Sequence, residues 1–137
     1  MQLADTSAWQ LSRRRPDLQA WFTQKSVDGL IGTCAIVSLE LLQGVRNGRE
    51  FDDRRVEMDE LPQFPIAGRE FARAIDVYRE LAHQGGSHQR SVGHADLLIA
   101  AAAESAGVEV LHYDEDFDRI AAITGQPTSW IVPRGSL

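Results

Sequence analysis

The sequence predicts an α/β fold, a three-layer α/β/α sandwich around a mostly parallel sheet, with residues 1–137 as a single domain. Three observations predict it. Short apolar runs alternate along the chain with segments of helical periodicity, the pattern of a parallel sheet with crossover helices. A length of 137 residues with 43% hydrophobic and 25% charged content suffices for one packed core without covalent staples. Several acids fall where such strands end or such helices begin, the rim at which open α/β sheets collect ligands.

Gln2 to Asp5 opens as a first strand that ends in a polar turn, with Thr6 or Ser7 starting a short helix. Pro16 interrupts this region, and Leu18, Trp21 and Phe22 then recur at helical spacing. Leu30 to Val37 reads as a buried strand running into a helix capped near Ser38. Leu39, Leu41, Leu42 and Val45 are expected to form that helix's buried face. Glu50 to Leu61 is a charged, solvated helix stopped by Pro62, followed by a brief strand around Phe64 to Ile66.

An amphipathic helix follows, with Phe71, Ile75, Tyr78 and Leu81 at steps of four and three. Gln84 to Arg90 is polar and reads as a loop. Gly93 to Ala106 is a buried helix about 20 Å long, too short to cross a bilayer, with Gly107 in the position of a C-cap glycine. Val108 to Tyr113 alternates as a strand, Asp116 to Ile123 continues as a helix, and Ser129 to Val132 closes the chain as an edge strand.

A lone cysteine, Cys34, excludes an intrachain disulfide and a cysteine-rich zinc site, and it sits in an apolar run as a small core residue. The absence of an apolar leader or spanning run points to the cytoplasm and away from membranes. The formal charge of −6 does not decide for or against nucleic acid. If Asp5, Glu40, Asp96 and Asp114 serve a cation, 16 acids remain against 14 bases, an effective charge of about −2.

These four acids carry the chemistry. Asp5 ends the first strand and Asp114 follows a late one; Glu40 and Asp96 belong to the first turns of their helices. Asp96 is the most informative, because Leu97 to Ala103 beside it are all apolar or small. A carboxylate there costs several kcal/mol to bury, of which a helix N-terminus returns only about 0.3–1 kcal/mol. A divalent cation supplies the remainder. Oxygen donors without cysteine favour Mg²⁺ or Mn²⁺, the ions that activate water and stabilise charge in phosphodiester hydrolysis. Taken singly, each acid has an ordinary explanation as a turn, cap or helix-dipole residue. Taken together, at strand ends and helix starts, they make that ordinary explanation much less attractive.

Four segments carry a family resemblance: Leu3-Ala4-Asp5-Thr6-Ser7-Ala8-Trp9, Val37-Ser38-Leu39-Glu40-Leu41-Leu42-Gln43-Gly44, Gly93-His94-Ala95-Asp96-Leu97-Leu98-Ile99, and Leu111-His112-Tyr113-Asp114-Glu115-Asp116-Phe117. In order and spacing they resemble the PIN domain and, within it, bacterial VapC-type toxins. The resemblance implies a Mg²⁺- or Mn²⁺-dependent endoribonuclease acting on tRNA, rRNA or mRNA. It also implies a homodimer and inhibition by a VapB-type antitoxin, with higher assembly between the two. Asp5, Glu40, Asp96 and Asp114 match the family's catalytic acids, with Asp5, Asp96, Asp114 and the extra acid Asp116 as metal ligands. Ser7 matches a polar position that supports the pocket. Tyr113 stands where the family often has Thr or Ser.

Arg90 and His94 flank the approach to Asp96 and read first as plain surface residues, with contact to RNA phosphate or an antitoxin carboxylate as the alternative. Arg13, Arg14 and Arg15 read as a solvated face, and Trp9, Trp21 and Trp130 as core or dimer interface. A phosphotransfer domain is disfavoured because the only lysine is Lys25, far from the C-terminus. A serine-hydrolase elbow is absent, and His83, His88, His94 and His112 show no zinc-site spacing. The competing reading is a PIN-like scaffold that binds RNA or protein without cleaving it.

Overall fold

The structure, a computed structural model, describes residues 1–86 and 88–137. Four parallel strands form its sheet in the order β2-β1-β3-β4: β1 Gln2–Ala4, β2 Ile31–Gly32, β3 Glu109–His112 and β4 Thr128–Trp130. Helices α1 (Thr6–Arg14) and α2 (Pro16–Val27) connect the first two strands. Between β2 and β3 run α3 (Ala35–Gln43), α4 (Gly48–Asp59), α5 (Gly68–His83), α6 (His88–Ser91) and α7 (His94–Ala106). Helix α8 (Asp116–Thr124) connects β3 to β4, which lies at an edge. The result is the expected three-layer α/β/α arrangement.

The core follows from the central strands and α7. Leu3, Ala4, Ile31, Val110 and Leu111 are buried in the sheet, and every residue from Leu97 to Ala103 is buried in α7. A helix apolar on all sides has to be enclosed, and α7 is packed against β1, β3, α3, α5 and α8. It ends at Gly107, whose φ of 68° is left-handed and open to glycine at little cost.

Several expectations are corrected. The run 30–37 contributes only the two-residue strand β2, because the backbone turns into α3 already at Ala35 with Cys34 as N-cap. Ser38 is therefore inside the helix, its N–H bonded to the Cys34 carbonyl at 3.1 Å. Moving the helix start rotates its buried face: Val37 and Leu41 are buried, while Leu39 is 65% exposed. The strand expected at Phe64 to Ile66 reduces to one bridge between Thr33 and Gln63. The Thr33 N–H donates to the Pro62 carbonyl at 2.9 Å, and the Phe64 N–H donates to the Thr33 carbonyl at 2.8 Å.

Helix α5 forms where periodicity places it, yet Ala74, Val77 and Leu81 make its buried face, with Phe71 51% and Ile75 67% exposed. The alanines of α7 admit a close approach by small residues, which turns the larger side chains outward. The 84–90 segment is not wholly loop, since α6 begins at His88; Ser87 lies outside the described residues. Among the tryptophans, Trp9 is core, packed edge-on against Phe22 at 4.5 Å, whereas Trp21 is 42% exposed beneath the Lys25 ammonium. No helix among the described residues is long and apolar enough to cross a membrane.

Candidate metal centre

Parallel pairing brings the acids to one rim. Ala4 is in register with Leu111, and the Asp5 N–H donates to the Leu111 carbonyl at 2.9 Å. Asp5 therefore leaves the sheet beside His112, at the carboxyl end where Asp114 follows. Asp5 is also the N-cap of α1, accepting the Ser7 N–H at 3.0 Å and the Ser7 hydroxyl at 2.6 Å on Oδ2. The Ser7 Oγ in turn accepts the Tyr113 N–H at 2.9 Å. The backbone at 113 thus ties the two strand ends together through Ser7, whatever side chain stands there.

Asp96, in the first turn of α7, meets Asp114 and Asp116 there: one carboxylate oxygen from each lies within 4.8 Å of the others. Asp114 accepts the Asp116 N–H on Oδ1 at 2.9 Å, which starts α8 and folds the second acid back toward the first. Asp118, the next alternate acid, is turned away and accepts the Trp130 indole N–H. Asp5 and Glu40 flank this trio without joining its closest approach. Glu40 stands in the second turn of α3 and not the first, because the helix begins at Ala35; its Oε1 accepts the Thr6 hydroxyl at 2.7 Å.

The electrostatics report the crowding. Burial, followed by the charges of Asp5, Asp114, Asp116 and Glu40, pushes the Asp96 carboxyl up to about 8. Asp5 is also raised, chiefly by burial, with its Ser7 hydrogen bonds opposing and Glu40 adding to the rise. Asp116 is raised by burial and by Asp114, against the pull of Arg119. Carboxylates this close share a negative potential that protons or a cation must relieve. An all-oxygen donor set of this kind fits a hard divalent ion.

The remaining candidates sit outside the trio. His94 is exposed at the start of α7, edge-on to Tyr78 at 5.6 Å, and Arg90 is exposed on α6. Arg15 pairs with Asp17 at 2.7 Å and Arg13 lies over Trp9, so the basic run is partly engaged on its own face. Cys34 is fully buried, and burial pushes its thiol up to about 11, which leaves it protonated and unreactive.

Three contributors were not singled out from sequence. Thr6 holds Glu40 across 34 residues, a contact that no local pattern reveals. Arg119 donates to Asp116 at 2.6 Å and to Glu115 at 2.9 Å, and its i−3 and i−4 spacing on a helix was a usable signal. His112 is wholly buried and accepts the Asp114 N–H on Nδ1 at 3.1 Å; burial lowers its pKa and keeps the ring neutral.

Comparison with known proteins identifies the family and the fold. The PIN domain family model matches residues 3–123. Ribonuclease VapC18 of Mycobacterium tuberculosis is 50% identical over 133 residues, covering 97% of this chain and 96% of that protein. Ribonuclease VapC51 of the same organism is 40% identical over 109 residues, 80% of this chain and 77% of its own. Among solved structures, the DNA-bound VapBC of Salmonella typhimurium superposes with a TM-score of 0.73 at 19% identity, over 96% of this chain and 100% of that chain. VapBC2 of Rickettsia felis, bound to a DNA fragment from its promoter, gives 0.72 at 16% identity over 93% and 96%. At such identities the structural likeness concerns the fold, while the sequence relatives fix the family. The chain belongs to the PIN-domain family, in its VapC branch.

Proposed function

We infer that this protein is a Mg²⁺- or Mn²⁺-dependent endoribonuclease, the toxin of a VapBC-type toxin–antitoxin pair. The observation that carries the reading is the convergence of Asp96, Asp114 and Asp116 within 4.8 Å, with Asp5 and Glu40 near enough to raise Asp96. The ribonuclease names of its relatives support the substrate class. Asp5, Asp96, Asp114 and Asp116 are assigned as metal ligands, with Mg²⁺ as the resident ion. Asp5, Glu40, Asp96 and Asp114 are assigned as the catalytic acids. Bound among them, a divalent cation supplies an activated water and stabilises charge on the reacting phosphate.

The chain's own residues prepare that site. Ser7 holds the Asp5 carboxylate toward the rim. Thr6 fixes Oε1 of Glu40, orienting its carboxylate to receive a proton from the attacking water. Arg119 neutralises one edge at Asp116, so the pocket tolerates its acids before a cation arrives. Arg90 and His94, on the approach to Asp96, are assigned to contact RNA phosphate or the antitoxin. A VapB-type antitoxin, a homodimer, higher assembly with the antitoxin, a cytoplasmic location and a single PIN domain over residues 1–137 complete the proposal.

Brief expression of the wild type, Asp5→Asn and Asp96→Asn proteins in bacterial cells, followed by sequencing of RNA 5′ ends, tests it. New ends at discrete positions in the wild type alone are expected, and they disappear when the antitoxin is co-expressed. RNA retained on the purified protein without any new ends would instead identify a non-cleaving scaffold.

A further inference from the structure

His112 is a poor choice for a core. It is 0% exposed at the end of β3, with its ring centroid 5.1 Å from that of Phe117 and 5.0 Å from that of Trp130. Its Nδ1 accepts the Asp114 N–H at 3.1 Å, so the neutral ring carries its proton on Nε2, and Nε2 has no hydrogen-bond partner among the described residues. A buried donor left unmet is destabilising, and a phenylalanine of similar size would avoid it. The ring's hydrogen bond goes instead to the backbone of the acid two residues on.

That bond sits at the head of a relay. Fixing the direction of the Asp114 N–H sets the turn out of β3; Asp114 Oδ1 then accepts the Asp116 N–H at 2.9 Å and starts α8. Two of the three clustered carboxylates ride on this one turn. Cation coordination tolerates misplacement of only about 0.5 Å, so the anchor of the turn governs the site.

We propose that His112 is a positioning residue for the cation site, its Nδ1 holding the Asp114 backbone so that the Asp114 and Asp116 carboxylates meet Asp96. The inference rests on the reading that Asp114 holds the cation. Groups that orient metal ligands typically govern about 10–100-fold in metal affinity. The ring's packing and its hydrogen bond can be separated by substitution. His112→Phe keeps an aromatic ring and removes the acceptor. His112→Asn loses the ring but offers Oδ1 to the N–H two residues on, the geometry of an Asx turn.

Mn²⁺ binding to the full chain, read by electron paramagnetic resonance beside thermal melting, tests the inference. The expected result is a crossing. His112→Phe melts within a few degrees of wild type yet binds Mn²⁺ at least about tenfold more weakly; His112→Asn melts lower yet binds within about threefold of wild type. Affinities that follow the melting temperatures, or that equal wild type in both variants, overturn it. Should the variants fail to fold, ¹⁵N spectra of the wild-type histidines decide. A protonated Nε2 on His112, with Nδ1 and the Asp114 amide shifting together on Mg²⁺ addition, supports the inference; a protonated Nδ1, or shifts unmoved by Mg²⁺, overturns it. Asp114→Asn serves as the control. Wild-type Mn²⁺ binding by that variant rejects the underlying site, whereas its loss together with intact binding by His112→Phe rejects this inference alone.

Discussion

The Ser7 hydroxyl donates to Asp5 Oδ2 at 2.6 Å while its oxygen accepts the Tyr113 N–H at 2.9 Å, so one side chain joins the ends of two parallel strands. Ser7→Ala removes both bonds. It leaves the Tyr113 N–H unmet and the Asp5 carboxylate held by the backbone N–H of residue 7 alone. The expected loss is about 1–2 kcal/mol of stability in chemical denaturation and roughly tenfold in Mg²⁺ affinity by calorimetry.

Asp96 makes the metal-free protein sensitive to pH. Its carboxyl stands at about 8 in the fold against an ordinary 3.8, so folding takes up a proton between those values. This contribution to stability is fully present below pH 3.8 and is lost as pH rises through about 8. One proton gives a slope of at most about 1.4 kcal/mol per pH unit. Melting curves in EDTA should fall across this window, while the gain from added Mg²⁺ should grow over the same range, because the ion binds the ionised form. A Mg²⁺ gain that shrinks between pH 5 and about 8 would contradict the assignment.

Gly32 admits a neighbour that no other residue admits. A Cβ built there falls 2.5 Å from Phe64 Cε2 and 3.0 Å from the Pro62 carbonyl oxygen. Gly32→Ala must displace the 62–64 segment that bonds to Thr33, or rotate Phe64 out of its place. A cost of about 1–3 kcal/mol is expected in urea denaturation.

The outward side chains of α5 bear on the proposed homodimer. Phe71 and Ile75 line an apolar groove of about 220 Å³ with Tyr78, Leu97 and Leu98. Phe71→Asp combined with Ile75→Asp should leave the fold intact by circular dichroism, since both side chains are exposed in the single chain, and shift sedimentation from dimer to monomer, with the melting temperature falling by the lost association. An unchanged sedimentation coefficient would place the dimer contact elsewhere.

The site was more legible in the sequence than the packing around it. Asp5, Asp96 and Asp114 could be read because a strand end and a helix start are local events, marked by where an apolar run stops. Glu40 was found for a partly mistaken reason: Ser38 resembles a cap, but the helix begins three residues earlier, at Ala35. Helix α5 shows what periodicity leaves open. Phe71 and Ile75 give a helical period as well as Ala74 and Val77 do, and the choice between the stripes falls to the alanine-rich surface of α7. The Thr6–Glu40 and Ser7–Tyr113 bonds span 34 and 106 residues, so only the assembled sheet makes them visible. His112 lay inside a recognised segment, yet its importance comes from a hydrogen bond that sequence does not display.

The central claim is that carboxylates distant in sequence hold one divalent ion and that this ion is needed to cut RNA. Its most direct measurement is cleavage of total bacterial RNA by purified wild type and Asp96→Asn, with Mg²⁺ and with EDTA. Discrete cleavage by the wild type in Mg²⁺, abolished by EDTA and reduced at least about a hundredfold in Asp96→Asn, is predicted. Equal cleavage by both proteins in EDTA would contradict it.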